Sequence, residues 1–447
     1  MGYATAKTEE SDPLGILIVC EHASARFGGE SILPLHYFRI LRRRGVDVRI
    51  VAHERTRGEL VGLLPEEAGR MYFLPDNAIN RLAWRLGSFL PAQIDHFTFG
   101  YLIRLGTQRA ARDLARRLIA EHGINVVHQP IPVSPRETSL LYDLGAPVVI
   151  GPMNGNMSYP PAFARRGKLK FLGAVVGLTR LAAGCVHRLM PGKLRAAVLL
   201  VANERTRAAL PSGARGEVIP LVENGVDLQV WAPIGSRSEA SRPARFVFLG
   251  RLVDWKAVDL LLEAFAQVRA TPLPRLDILG DGPMRAALED QARSLGISER
   301  IHFTGWLPQS ECARRLRDSD VLVLPSLYEC GGAVVLEAMA CGLPVIATAW
   351  GGPKDYLDST CGILVAPESR EALIGGFARA MNSLANDRSR SANLGRAGRE
   401  RVERMFDWET KVDHVLAVYR RVASLQPQSA SGKNNHPPHA PQHSSVL

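Results

Sequence analysis

Short runs of apolar residues, too uniformly apolar to present a polar face, recur along the chain and alternate with longer amphipathic stretches. Residues 15–20, 46–51, 124–128, 147–150, 197–202, 246–250, 276–280, 301–305, 321–324 and 361–365 read this way, as does the segment that Pro344 opens. Such runs suit strands buried on both sides of a parallel sheet. The patterning between them predicts helices ending before Gly45, over 101–122 before Gly123, over 258–268, over 333–340 with Gly342 past its end, and over 407–421. Strands alternating with helices predict an α/β fold. Residues 52–100, broken by prolines and glycines, give no clear pattern. The polar, turn-rich stretch 232–243 predicts a linker. The chain then divides into a domain at 14–231, a domain at 244–405, a helix at 406–424 and, from 425 to 447, a tail rich in Ser, Pro, Asn and His that is expected to be disordered.

At 447 residues and 46% hydrophobic composition the chain is long enough for two ordinary cores. Its 55 Lys and Arg against 44 Asp and Glu give a net charge of +11, which admits nucleic acid, anionic lipid or phosphorylated substrates as partners. Aromatic content of 6%, not interleaved with basic residues, argues against a single-strand binder, and nucleic acid is not expected. Between Asp143 and Glu204 lie eight Lys or Arg and no acid. There an apolar stretch, 171–186, is flanked by Arg165, Arg166, Lys168, Lys170, Arg188, Lys193 and Arg195. This fits peripheral docking on anionic lipid at roughly 1 kcal/mol per basic residue, and equally fits a solvated face over a core. No apolar run reaches the ~18 residues that span a bilayer. Residues 1–13 lack an apolar signal core, and the six cysteines form no C-x-x-C pair, so a cytoplasmic chain with reduced thiols is expected. Asp318-Ser-Asp320 precedes a buried strand instead of following one and reads as a helix end, so no metal is expected.

Candidate chemistry concentrates after the 321–324 run, in Tyr328-Glu329-Cys330-Gly331-Gly332-Ala333. Strand, glycine loop, helix and strand in that order place a helix N-terminus at the C-terminal edge of a parallel sheet. Unpaired N–H groups and the helix dipole favour a phosphate there. Glu329 before the loop and Glu337, roughly 6 to 8 Å along the helix axis, would oppose a bare phosphate. They suit a ligand with a diphosphate in the middle and a hydroxyl-rich sugar at each end, because a carboxylate can accept two hydrogen bonds from a vicinal diol. Two solvated acids would read the same. Arg251 and Lys256 follow Gly250 in the loop after another strand, a natural place for cations facing a diphosphate. Gly28 and Gly29, between the first strand and first helix, mark either a phosphate-type loop or a plain tight turn. His128 ends its strand, where it could contact substrate or handle protons, or serve as a hydrogen-bonded sheet-end histidine.

The stretch from Glu329 to Glu337 resembles the Glu-x7-Glu signature of the retaining glycosyltransferases of family 4, which set two Rossmann-like domains across a cleft, the GT-B fold. Gly250-Arg251-Leu252 with Lys256 resembles another of that family's patterns, Ala257 standing where a glycine is usual. Asn224-Gly225-Val226-Asp227 resembles the segment closing the first domain. Gly151-Pro152-Met153-Asn154-Gly155 resembles a segment of bacterial exopolysaccharide members. The likeness runs over residues 14–424 and is more specific in the second domain. It implies that Glu329 approaches the transferred sugar and Glu337 the ribose. The amides of Gly331, Gly332 and Ala333, with Gly250, would meet the diphosphate, while Arg251 and Lys256 neutralise it as it departs. It implies further that Gly28 and Gly29 line the cleft, that Asn154 and Gly155 meet the acceptor, and that the last helix crosses back to the first domain. Where some members carry a second histidine after the one at His128, this chain has Pro130.

The implied activity is transfer of a hexose, with retention, from a UDP- or GDP-sugar to a glycan or lipid-linked acceptor in bacterial surface polysaccharide synthesis. It would proceed without a metal or other cofactor, at the cytoplasmic face of the inner membrane. An epimerase or phosphorylase on the same fold would betray itself by free epimer or phosphate dependence. A non-catalytic binder of nucleotide sugar or nucleic acid is the remaining class, the latter marked by salt-sensitive binding.

Overall fold

The computed structural model describes residues 14–26, 29–76, 99–164, 186–233 and 242–425. Its strands form two wholly parallel sheets. The first contains β1 (Gly15–Val19), β2 (Asp47–His53), β3 (Met71–Leu74), β4 (Val126–Gln129), β5 (Val148–Met153), β6 (Val198–Val201) and β7 (Glu217–Pro220), in the order β3-β2-β1-β4-β5-β6-β7. The second contains β8 (Arg245–Leu249), β9 (Arg275–Leu279), β10 (Ile301–Gly305), β11 (Val321–Leu324), β12 (Val345–Thr348) and β13 (Gly362–Val365), in the order β10-β9-β8-β11-β12-β13. Two doubly wound, Rossmann-like domains result, as the alternating pattern predicts.

Period-two alternation in the central strand divides the first core. Ile16 and Ile18 face the Leu33–Arg43 helix through Tyr37, Phe38 and Leu41, whereas Leu17 and Val19 face Ala111, Ala115 and Leu118 of the Phe99–His122 helix. In the second domain, strand residues Phe246, Phe248, Leu322 and Ile346 are fully buried beneath helices.

The helix Trp408–Ser424 leaves the second domain and packs on the first. Its Val412, Val415, Tyr419 and Val422 join the cluster of Ile16, Ile18 and Tyr37, each worth roughly 1.5–3 kcal/mol of burial. The entry is pinned where Val226 N donates to Phe406 O at 2.9 Å.

Three features depart from the reading of the pattern. β3 is a four-residue edge strand, Met-Tyr-Phe-Leu, whose apolar run lies between Gly69 and Pro75 inside the broken stretch 52–100 and whose middle residues are only half-buried. The pattern also gives no sign of the helices Arg285–Ser294, Arg370–Asn386 and Arg388–Met405, the last being crowded with arginine. Lys193, expected among lipid-facing cations, is 1% exposed and donates to Ser134 O at 2.6 Å, and burial lowers its pKa to about 7. Arg188 and Arg195 are exposed, the latter paired with Asp143; residues 165–185 and the tail from 426 lie outside the described residues. Among the described residues no helix is long and apolar enough to cross a membrane.

Candidate active site at the facing sheet edges

In the second sheet the chain reverses its winding between the neighbours β8 and β11, and a doubly wound sheet opens a crevice at the C-terminal ends of such a pair. The loops at that point carry Arg251 and Lys256 after β8, and Glu329 to Gly332 after β11. Leu327 N donates to Trp255 O at 2.8 Å and ties the two loops together. Lys256 Nζ and Glu329 Oε2 form an ion pair, the side chains only 15% and 13% exposed. Arg251 is exposed at the start of its loop, with no ion pair among the described residues.

Gly332, at φ 83° and ψ 59°, turns the chain into the Ala333–Ala340 helix, and no side chain caps that helix end. Val335 N donates to Gly332 O at 2.9 Å, which leaves the N–H groups of Ala333 and Val334 available to a ligand. A Cβ on Gly332 would stand 3.0 Å from Glu329 Cγ, so the left-handed turn and the Glu329 side chain share one space. Behind the loop, Gly352 N donates to Glu329 O at 2.9 Å, and a Cβ on Gly352 would fall 2.0 Å from Gly331 O. Backbone packs directly on backbone there.

Glu337 lies a turn into this helix, half-buried and without a side-chain hydrogen bond or ion pair among the described residues. Loss of hydration pushes its carboxyl up to about 7. The two acids are thus unlike: Glu329 is held by a cation, and Glu337 has no hydrogen-bond or ion-pair partner among the described residues. Gly250 lies at the base of the crevice, its N–H bonded to Leu279 O at 2.9 Å. Ala257 takes the left-handed conformation, φ 52°, that glycine would adopt more easily.

The first domain presents its own C-terminal strand ends to this crevice. Asn154, after β5, donates to Cys330 O at 3.0 Å. Asn203, after β6, donates to Asp355 Oδ2 at 2.8 Å, and Trp350 Nε1 donates to Ser158 O at 2.7 Å. Tyr159 and Tyr328 meet across the same junction, their rings tilted by 34° with centroids 5.3 Å apart.

Several expected site residues stand elsewhere. His128 is fully buried in β4, away from any ligand-accessible surface. Its Nε2 lies 2.6 Å from Gly151 O, which can only accept, so Nε2 carries the proton and Nδ1 accepts from Tyr419 Oη, also at 2.6 Å. Burial lowers its pKa to about 4 and keeps it neutral. His128 is therefore a strut between the first sheet and the returning helix, and the catalytic reading of it is corrected. Asn154 is 2% exposed, with every polar atom engaged: Nδ2 also donates to Glu223 Oε2 at 2.9 Å, and Oδ1 accepts from Arg205 at 3.1 Å. Gly155 is packed against Pro135, where a Cβ would fall 2.5 Å from Cδ. Neither is free to take an acceptor, so that assignment is corrected too. Gly29, at φ 70°, faces open space at a short turn, and Gly28 lies outside the described residues.

The pattern also missed Glu223, Arg205 and Asp355, which meet at the junction. Glu223 is 5% exposed, and burial raises its pKa. An acid before Asn-Gly reads as a solvated turn; only its position next to the family-like segment hinted otherwise. Asp320 is committed to Arg242 and Arg388 at 2.7 and 3.1 Å, as a helix-end acid would be. Among the described residues no cluster of three His, Cys, Asp or Glu is placed to hold a metal.

Residues 234–401 match the family of glycosyl transferases group 1. This stretch is similar to a group 1 glycosyltransferase domain. A glycogen synthase of Mycobacterium tuberculosis is 33% identical over 203 residues, which cover 45% of this chain and 48% of that protein. The chain thus spans about half the length of the curated relatives it matches. Among solved structures, sucrose-phosphate synthase from Thermosynechococcus elongatus superposes with a TM-score of 0.58 at 19% identity, covering 92% of this chain and 100% of that one. HepE from Anabaena in complex with UDP superposes with a TM-score of 0.61 at 16% identity, covering 91% and 99%. At such identities the likeness is one of fold, and that fold is GT-B.

Proposed function

We propose that this chain is a retaining hexosyltransferase of the family 4 type, acting on a UDP- or GDP-sugar and a glycan or lipid-linked acceptor. The observation that carries the reading is the Lys256–Glu329 ion pair beside an uncapped, glycine-led helix N-terminus at the reversal point of the second sheet. The group 1 match over this domain supports it, as does a structural neighbour whose complex contains UDP.

Arg251, Lys256 and the N–H groups of residues 331–333 surround the place where negative charge grows as the diphosphate departs. Charge stabilised there lowers the barrier more than any other single term. The reading needs no metal, because side-chain cations and backbone donors supply the positive field. Glu329, held by Lys256, faces the transferred sugar, and Glu337 takes the ribose diol. Retention follows from same-face attack in which the donor phosphate receives the acceptor proton, the route the resemblance implies. A role in bacterial surface polysaccharide synthesis at the inner membrane's cytoplasmic face belongs to the same proposal, supported by the exopolysaccharide-like Gly151 to Gly155 segment.

The test is thermal unfolding with UDP, GDP and ADP, on wild type, Glu329→Ala and Glu337→Ala. A ligand at ~100 times its Kd adds about 2.7 kcal/mol, a shift of several degrees. One nucleotide should shift wild type and Glu329→Ala, and Glu337→Ala much less; turnover with the matching sugar should collapse in Glu329→Ala. No shift with any of the three would remove the donor site.

A further inference from the structure

The glycine loop is gripped from the opposite domain. Asn154 Nδ2 holds Cys330 O at 3.0 Å while also donating to Glu223 Oε2 at 2.9 Å. Glu223 Oε1 accepts from Asn224 Nδ2 at 2.8 Å, and Asn224 reaches on to Tyr356 Oη at 3.0 Å. A Cβ on Gly331 would stand 2.1 Å from Glu223 Oε1 and 2.2 Å from Asn224 Nδ2, so the loop backbone rests on these two side chains. Behind them, buried Lys411 of the returning helix donates to Val222 O.

The peptide plane gives this grip a direction. In a trans peptide the C=O and the next N–H point to opposite sides. Fixing Cys330 O on Asn154 therefore turns the Gly331 N–H away from the Asn154 side chain, and it has no partner among the described residues. A buried carboxylate costs several kcal/mol of hydration, and packing alone does not call for one. Glu223 is accounted for if its work is to orient Asn154.

We propose that Asn154 and Glu223 are positioning residues for the diphosphate cradle: they set the Cys330–Gly331 peptide so that the Gly331 N–H faces the donor's diphosphate. The inference rests on the donor-site reading above and extends it, since half of the cradle's geometry is then supplied by the first domain. Diphosphate affinity accordingly depends on the two domains being together, whereas contact with the nucleoside does not.

The experiment compares binding of a nucleoside diphosphate with its parent nucleoside, by calorimetry on the full chain. The ligands are UDP and uridine, GDP and guanosine, ADP and adenosine; the proteins are wild type, Asn154→Ala and Glu223→Gln. Loss of one oriented hydrogen bond corresponds to about tenfold in affinity. Asn154→Ala should weaken the preferred diphosphate about tenfold and change the nucleoside less than about twofold. Glu223→Gln keeps the shape but turns one acceptor into a donor, and should give the same selective loss at about threefold. It also decides the matter should Asn154→Ala fail to fold. An unchanged diphosphate-to-nucleoside ratio in the folded variants, or equal weakening of both ligands, overturns the inference while leaving the donor site standing. Failure of wild type to bind any of the three diphosphates overturns the donor-site reading and the inference with it.

Discussion

Glu337 has the clearest chemical signature of any single residue in the crevice. Its carboxyl ionises near pH 4.5 in the unfolded chain and about pH 7 in the fold, so between these values the folded state holds the extra proton. Stability from this group is complete below pH 4.5 and is lost as pH rises through 7, by an order of 1–3 kcal/mol. Glu337→Gln should flatten that limb in denaturant titrations from pH 5 to 8. Binding runs the other way, because only the carboxylate accepts from both hydroxyls of a diol. Nucleoside affinity in wild type should rise from pH 6 to 8, and in Glu337→Gln it should not. The sequence could group Glu337, Glu329 and Lys256 at one sheet edge because loop and helix positions at a strand end have few places to point. It could not place His128 or Asn154, whose types suit a ligand as well as a core. For both, burial and saturated hydrogen bonds decide the matter, and these depend on elements far away in the chain: Tyr419 for one, Arg205 and Glu223 for the other.

The element that matters most is the turn from β11 into the Ala333–Ala340 helix. Gly332→Ala adds a methyl in the left-handed region, at about 1–2 kcal/mol, and presses it on Glu329. The helix itself is sealed by the core through Val335, Leu336 and Met339, so the strain should surface at the loop. The expected outcome is a loss of diphosphate affinity of tenfold or more with a fall in melting temperature of only a few degrees, measured by calorimetry and thermal unfolding. Elements of this kind were legible because strands buried on both faces leave an uninterrupted apolar run. β3 was not, since its four apolar residues stand between Gly69 and Pro75 in a stretch otherwise broken by glycines and prolines. The Arg388–Met405 helix was not, since its small buried positions, Ser391, Gly395 and Gly398, carry no hydrophobic period.

At the scale of the molecule, the chain closes on itself. The helix Trp408–Ser424 completes the first domain's core although it follows the second in sequence. A chain ending at residue 407 should lose protection in hydrogen exchange over β1, β2 and β4 while β8, β9 and β11 stay protected. Equal loss in both sheets, or none, would count against this division. That dependence was visible only as a resemblance; no local pattern says which surface a terminal helix will cover.

The backbone contact behind the glycine loop has a consequence for how this chain can vary. Gly351 and Gly352 leave no room for a methyl: Cβ atoms there would lie 2.2 Å from Glu329 O and 2.0 Å from Gly331 O. A library randomised at both positions and selected for function should return almost nothing but glycine, whereas nearby Lys354, exposed on its short helix, should accept most residues. Tolerance to substitution would then drop abruptly within three residues, outlining the cradle in a record of survivors without any ligand being seen.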